Sequence, residues 1–107
     1  MPLTKSFNDT VKSKLQQSEG FRKALLKEAV SCMISGDLET GKSVLRKYIN
    51  GTVGFVKLGA DLGRSPKVLM RMLSSTGNPQ AKNLFEIVAY LQKAEGTVLE
   101  VVDNAAA

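Results

Sequence analysis

The chain has 107 residues, of which 43% are hydrophobic and 23% are charged, with no His, no Trp and one Cys. This length fits a single domain, residues 1–107. One Cys cannot form an internal disulfide. Because the chain has no His and one Cys, the usual zinc and haem sites are excluded, and we expect no metal or cofactor. No window approaches the ~18 apolar residues of a membrane span, and the start Met1-Pro2-Leu3-Thr4-Lys5 lacks the apolar core of a signal peptide, so we expect a cytoplasmic protein.

Basic residues are concentrated in the middle of the chain. The formal net charge is +5, but the segment from Thr40 to Lys82 holds eight basic residues and one acid, Asp61, which makes it +7. The rest of the chain holds seven basic and nine acidic residues, a charge of −2. Such a field suits a polyanion, because phosphates that are neutralised release their counterions. A solvated basic face without a partner is the alternative.

The first half of the chain predicts three helices within residues 8–50. Asn8 or Asp9 would cap a short first helix running through Leu15, and Gly20 precedes a second helix that continues to Ile34. Both helices carry apolar residues three or four positions apart, which is the amphipathic pattern. The residues of these stripes are Phe7, Val11 and Leu15, then Phe21, Leu25, Leu26, Ala29, Val30, Met33 and Ile34.

Gly36 fits the left-handed position that ends a helix, and Asp37 can cap the third helix. That helix carries Leu38, Leu45, Tyr48 and Ile49, and the Asn50-Gly51 pair signals its end.

Residues 53–74 predict a helix-turn-helix. Two short apolar patterns are joined across Gly63-Arg64-Ser65, and Gly63 allows the positive φ angle of a tight turn. Ser65 can cap the second helix, and Pro66 is favoured at its first position, where the missing N–H is not needed. Two helices joined by a short turn with Gly form this motif.

The rest of the chain predicts a loop, one more helix and a tail. Residues 74–79 have a loop composition, a helix with Leu84, Ile87, Val88 and Leu91 ends near Gly96, and the β-branched tail Thr97–Val102 favours a strand. The expected fold is therefore all-α, a small helix-turn-helix bundle of about five helices with one short C-terminal strand.

The motif residues resemble those of HigA-type antidote proteins of addiction modules, members of the lambda-repressor-like helix-turn-helix class. Leu58, Gly63, Ser65, Leu69, Leu73, Ser74 and Gly77-Asn78-Pro79 occupy the register of the family signature, and Arg71 stands at its Lys. The resemblance covers roughly Gly20 to Glu95. Gly59 replaces the Ala that packs where the two helices cross, which predicts a looser contact. Pro66 and Gln80 also depart from the family pattern.

The helical pattern of the residues after Ser65 predicts which side chains would contact DNA. On a helix starting near Ser65, Leu69, Met72 and Leu73 fall on the core side. In a helix-turn-helix, the second helix enters the major groove, where Arg and Lys bond guanine and apolar groups meet thymine methyls. Ser65 and Lys57 would hold phosphates. The predicted DNA-binding residues are Lys57, Arg64, Ser65, Lys67, Met70, Arg71 and Ser74.

Several of these residues have plainer alternatives. Met70 is interpreted as a core residue rather than a base contact, Lys67 can equally be a solvated charge, and Arg71 is favoured as functional. Arg46 and Lys47 are interpreted as surface charges. Cys32 is interpreted as structural, since no His is present to activate it.

The function that we expect is a dimeric DNA-binding transcription regulator. The resemblance implies an antitoxin that represses its own operon and neutralises a RelE-like ribonuclease toxin. A stand-alone regulator and a protein–protein interaction module remain as alternatives. An enzyme is not expected, because without His the acid–base work would fall to isolated carboxylates or lysines. The acidic residues outside the basic segment could contact a basic toxin or could equally form an ordinary solvated surface; they are Asp9, Glu19, Glu28, Glu95, Glu100 and Asp103.

Overall fold

The computed structural model describes the backbone of residues 3–104 and the side chains of residues 9–104. Within that part the chain forms six α-helices and no strand. The helices are α1 Leu3–Gln17, α2 Glu19–Ile34, α3 Leu38–Gly51, α4 Phe55–Leu62, α5 Pro66–Met72 and α6 Ala81–Glu95. The all-α prediction is confirmed, with one helix more than the five expected. None of these helices has both the length and the apolar character needed to cross a bilayer.

The predicted starts of the first two helices are wrong. Helix α1 begins at Leu3, so Asn8 and Asp9 lie inside it rather than at its cap. Helix α2 begins before Gly20, where the Ser18 hydroxyl accepts a hydrogen bond from the amide of Phe21 at 3.1 Å. Asn, Asp and Gly cost at most about 1 kcal/mol inside a helix, so their presence does not mark its start. The Phe7 side chain, assigned to the first apolar stripe, lies outside the described side chains.

Helix α3 starts as the sequence predicts. Gly36 has a φ of 96°, and the Asp37 carboxylate accepts a hydrogen bond from the Thr40 amide at 3.1 Å. This hydrogen bond lowers the pKa of Asp37. The turn before α3 is therefore set by local residues.

One core joins all six helices. Helices α2 and α3 form the largest interface, and α1 packs against both. Ile34, assigned to the apolar stripe of α2, is instead exposed at its C-terminal end. The buried apolar residues are Leu15, Leu26, Ala29, Leu45, Tyr48, Ile49, Phe55, Leu58, Leu69, Leu73, Leu84, Ile87, Val88 and Leu91.

A polar network inside the bundle ties the end of α6 to α2 and α3. Glu95 has a side chain 7% exposed and pairs with Arg22 at 3.0 Å. It also accepts a hydrogen bond from the Tyr48 hydroxyl at 2.8 Å. Burial and this bond raise the pKa of Tyr48. Glu95 is therefore held within the fold by Arg22 and Tyr48, and little of its side chain is exposed.

The C-terminal tail does not form the predicted strand. Residues 97–104 adopt no regular structure, and the Leu99 amide donates to the Gln92 side chain at 2.8 Å. Val98, Val101 and Val102 are exposed. A single extended segment has no ladder of hydrogen bonds within its own chain, so β-branched composition alone does not make it a strand.

Candidate nucleic-acid interface

Helices α4 and α5 are joined by the three-residue turn that the sequence predicts. Gly63 has a φ of 68°, and the Arg64 amide donates to the Gly59 carbonyl at 2.9 Å. The Ser65 hydroxyl accepts from the Val68 amide at 3.1 Å, and Pro66 is the first residue of α5. We call residues 55–72 the α4–α5 unit.

Gly59 makes this crossing closer, not looser as predicted. A Cβ atom at this position would overlap the Arg64 carbonyl oxygen and touch Pro66. The missing side chain therefore lets the backbone of the turn lie directly on α4.

Helix α5 has the two faces that the sequence predicts. Leu69 and Leu73 are fully buried, and Met72 packs partly against the core. Lys67 and Arg71 are exposed, and neither forms an ion pair with any of residues 9–104. Met70 is 45% exposed, so it is not a core residue. Three side chains able to touch a ligand therefore project from one short helix.

A shallow groove flanks this face. It has a volume of about 320 Å³, and Arg71 lines it together with Val68 and residues 76–79 of the following loop. Ser74 follows α5 in the chain, and its hydroxyl donates to the Arg71 carbonyl at 2.8 Å. Ser74 thus fixes the helix end, while its own side chain is half-buried.

Arg64 is held within the molecule. Its guanidinium donates to the Asn83 side-chain oxygen at 2.7 Å and pairs with Glu86 at 3.4 Å, leaving the side chain 31% exposed. Both partners belong to α6. To reach a base, Arg64 would have to leave Asn83; in this structure it holds the turn against α6.

Lys57 lines a different cleft from the groove that Arg71 lines. It pairs with Asp61 at 3.3 Å, and Asp61 also accepts a hydrogen bond from Tyr90 of α6. The Tyr90 bond, with Lys57 adding to it, lowers the pKa of Asp61. Lys57, Tyr90 and Glu95 line a separate cleft of about 500 Å³. The structure therefore does not group Lys57 with Lys67, Met70 and Arg71.

Two basic residues of α3 organise the end of α5, and the sequence reasoning missed both. Lys42 is 1% exposed, and its ammonium donates to the carbonyls of Ser74 at 2.9 Å and Gly77 at 2.7 Å. It also pairs with Glu39 at 2.9 Å. Arg46, interpreted as a surface charge, donates to the Leu73 carbonyl. The i, i+4 spacing of Lys42 and Arg46 indicates that they share a helix face. It does not indicate that the end of α5 and the following loop pack over that face.

The basic segment is therefore less exposed than its charge suggests. Of its eight basic residues, Lys42 is buried, while Lys57 and Arg64 have acidic partners. Arg46 is half-buried. The exposed ones without an ion pair to the described side chains are Lys47, Lys67, Arg71 and Lys82.

Comparison with protein-family models, with curated proteins and with solved structures finds no match to this chain. The resemblance to HigA-type antidotes therefore remains an interpretation of the motif residues.

Proposed function

We propose that this protein is a transcription regulator that binds duplex DNA by inserting α5 into the major groove. The observation that carries the proposal is the exposed face of α5, where Lys67, Met70 and Arg71 project without intramolecular partners among the described side chains. Lys and Arg contact guanine edges or phosphates, and Met offers an apolar contact to a thymine methyl. The cytoplasm, where operator DNA is found, is the corresponding location.

The rigid support of α5 favours this role. Its start is capped by Ser65, its end is held by Arg46 through the Leu73 carbonyl, and its buried face is anchored by Leu69. Side chains that read bases must be held in a fixed register by the scaffold, because a misplaced donor loses its bidentate geometry. Lys67 and Arg71 lie one helical turn apart on such a support.

Self-repression and neutralisation of a ribonuclease toxin extend this proposal as the resemblance implies. No arrangement among residues 9–104 selects a toxin over another protein partner. A stand-alone regulator keeps the same DNA interface, and it differs from an antitoxin by lacking a toxin partner. A protein–protein interaction module differs from both, because it would not bind duplex DNA with a steep salt dependence.

The test measures binding to the DNA upstream of the gene that encodes the protein and to a scrambled duplex, between about 50 and 200 mM salt. Affinity should fall steeply with salt, because each phosphate contact adds about 0.9 to the slope of log K against log salt. Binding that is insensitive to salt over this range would contradict the proposal.

Arg71→Ala separates base reading from phosphate contact. If Arg71 reads a guanine, its loss should cost about 1–3 kcal/mol on the cognate duplex and relax preference at one base pair. If it contacts a phosphate, both duplexes should weaken alike and the salt slope should fall by about one. Lys67→Ala should also weaken binding. Its control is Lys93→Ala, which removes an exposed lysine at the end of α6 and should leave binding nearly unchanged.

A further inference from the structure

We propose that the groove between α1 and α3 binds the sugar-phosphate backbone of duplex DNA beside the segment that α5 reads. This inference rests on the proposed function. The groove has a volume of about 310 Å³. We call it the α1–α3 groove, and its polar lining consists of Asp9, Lys12, Ser43, Arg46, Lys47 and Asn50.

The lining suits a phosphate chain. Lys12 and Lys47 are exposed and form no ion pair with any of residues 9–104. The groove is lined by three cations, Lys12, Arg46 and Lys47, and by one carboxylate, Asp9, so its formal charge is +2. Ser43 and Asn50 add a hydroxyl and an amide, which are common donors to phosphate oxygens. Charge and hydrogen-bonding groups therefore both favour an anionic backbone.

Arg46 connects this groove to α5. It lines the groove and donates to the Leu73 carbonyl at the end of α5. The seven residues of α5 span about 10 Å, whereas one turn of duplex DNA extends about 34 Å. A duplex seated on α5 must therefore continue past the helix, and the basic surface that adjoins the C-terminal end of α5 is the α1–α3 groove.

The occupant is a backbone, because the two exposed cations of the lining are lysines, while the Arg46 guanidinium already donates to the Leu73 carbonyl. Lysine acts as a point charge and carries no planar fork for base edges. The groove should therefore add affinity to every duplex alike, while α5 supplies the sequence preference.

The experiment compares two double variants that remove the same charge. Lys12→Ala/Lys47→Ala removes the groove lysines, and Lys27→Ala/Lys93→Ala removes exposed lysines of α2 and α6. The slope of log K against log salt is measured for each variant on cognate and scrambled duplexes. All four lysines are exposed, so both variants should fold as the wild type does.

The groove variant should lower the salt slope by about two and weaken both duplexes by the same factor, because each lost phosphate contact removes about 0.9. The control variant should leave the slope nearly unchanged. Equal changes in both variants would overturn the groove proposal, since net charge alone would explain them, and so would an unchanged slope in the groove variant.

Failure of the proposed function gives a different result. If Arg71→Ala and Lys67→Ala bind as the wild type does while the groove variant weakens, α5 is not the reading helix, but the groove contacts DNA. If the α5 variants weaken and the groove variant matches its control, the proposed function stands and the groove proposal falls. A wild-type protein that binds no duplex overturns both.

Discussion

Lys42 stabilises the loop after α5 from inside the molecule. Its ammonium is the donor for two loop carbonyls, those of Ser74 and Gly77, at a site that is 1% exposed. Lys42→Met would leave the Gly77 carbonyl without that donor, whereas the Ser74 carbonyl keeps its hydrogen bond from the Gly77 amide at 3.0 Å. A buried polar group that loses its partner costs about 1–3 kcal/mol, so the free energy of unfolding should fall by about this amount in urea titrations.

The control for Lys42 is Lys82→Met, because Lys82 is an exposed lysine that follows the same loop. It should change stability by less than about 0.5 kcal/mol. Equal effects of the two substitutions would show that the Lys42 hydrogen bonds do not hold the loop.

Gly59 is required by the close approach of the turn. Gly59→Ala would place a methyl group on the Arg64 carbonyl oxygen, and overpacking of this kind costs about 1–3 kcal/mol. Gly20→Ala, inside α2, has its nearest neighbour, the Ser18 hydroxyl, at 3.9 Å. It should stabilise the protein by up to about 1 kcal/mol through helix propensity. In chemical denaturation, Gly59→Ala should lower the free energy of unfolding and Gly20→Ala should raise it. A stabilising Gly59→Ala would contradict the observed crossing.

Within α5, the buried face and the exposed face should contribute differently to stability. Leu69 is fully buried, so Leu69→Ala should cost about 2–5 kcal/mol by leaving a cavity. Arg71 is exposed, so Arg71→Ala should shift stability by less than about 0.5 kcal/mol. Thermal or denaturant unfolding measures both. If Arg71→Ala melts the protein while Leu69→Ala is tolerated, the register of α5 is wrong, and the residues assigned to the DNA interface fall with it.

The elements also differ in how far their own sequences define them. Helices α3 and α5 begin where a capping residue and the apolar pattern agree, at Asp37 and Ser65. Helices α1 and α2 begin earlier than predicted, because Asn8, Asp9 and Gly20 are tolerated inside a helix that tertiary packing stabilises. Local signals therefore predict a boundary where two of them coincide.

For the whole molecule we predict a symmetric dimer. One chain presents a single α5, whereas helix-turn-helix proteins read two half-sites about one helical turn apart, and a two-fold axis in the protein matches such an operator. Light scattering at tens of micromolar protein should give the mass of two chains. A monomer mass both with and without DNA would count against the prediction.

Local sequence signals alone predicted the all-α fold, the turn of the α4–α5 unit and the exposed face of α5. These follow from interactions within a few residues: the positive φ of Gly63, the cap of Ser65 and the spacing of Leu69 and Leu73. Hydrophobic periodicity and capping act over one or two helical turns, so they can be read along the chain.

Which basic side chains stay free of intramolecular partners depends on contacts between residues far apart in the chain. Lys42 donates hydrogen bonds to the carbonyls of Ser74 and Gly77, which lie 32 and 35 residues away in the chain. Arg64 donates to the side chains of Asn83 and Glu86 in α6. The tail likewise stays irregular because no strand lies beside it within the described chain. Whether a charged side chain is paired, and whether an extended segment becomes a strand, depends on residues that the fold brings beside it. Local sequence spacing does not identify partners that are separated by many residues.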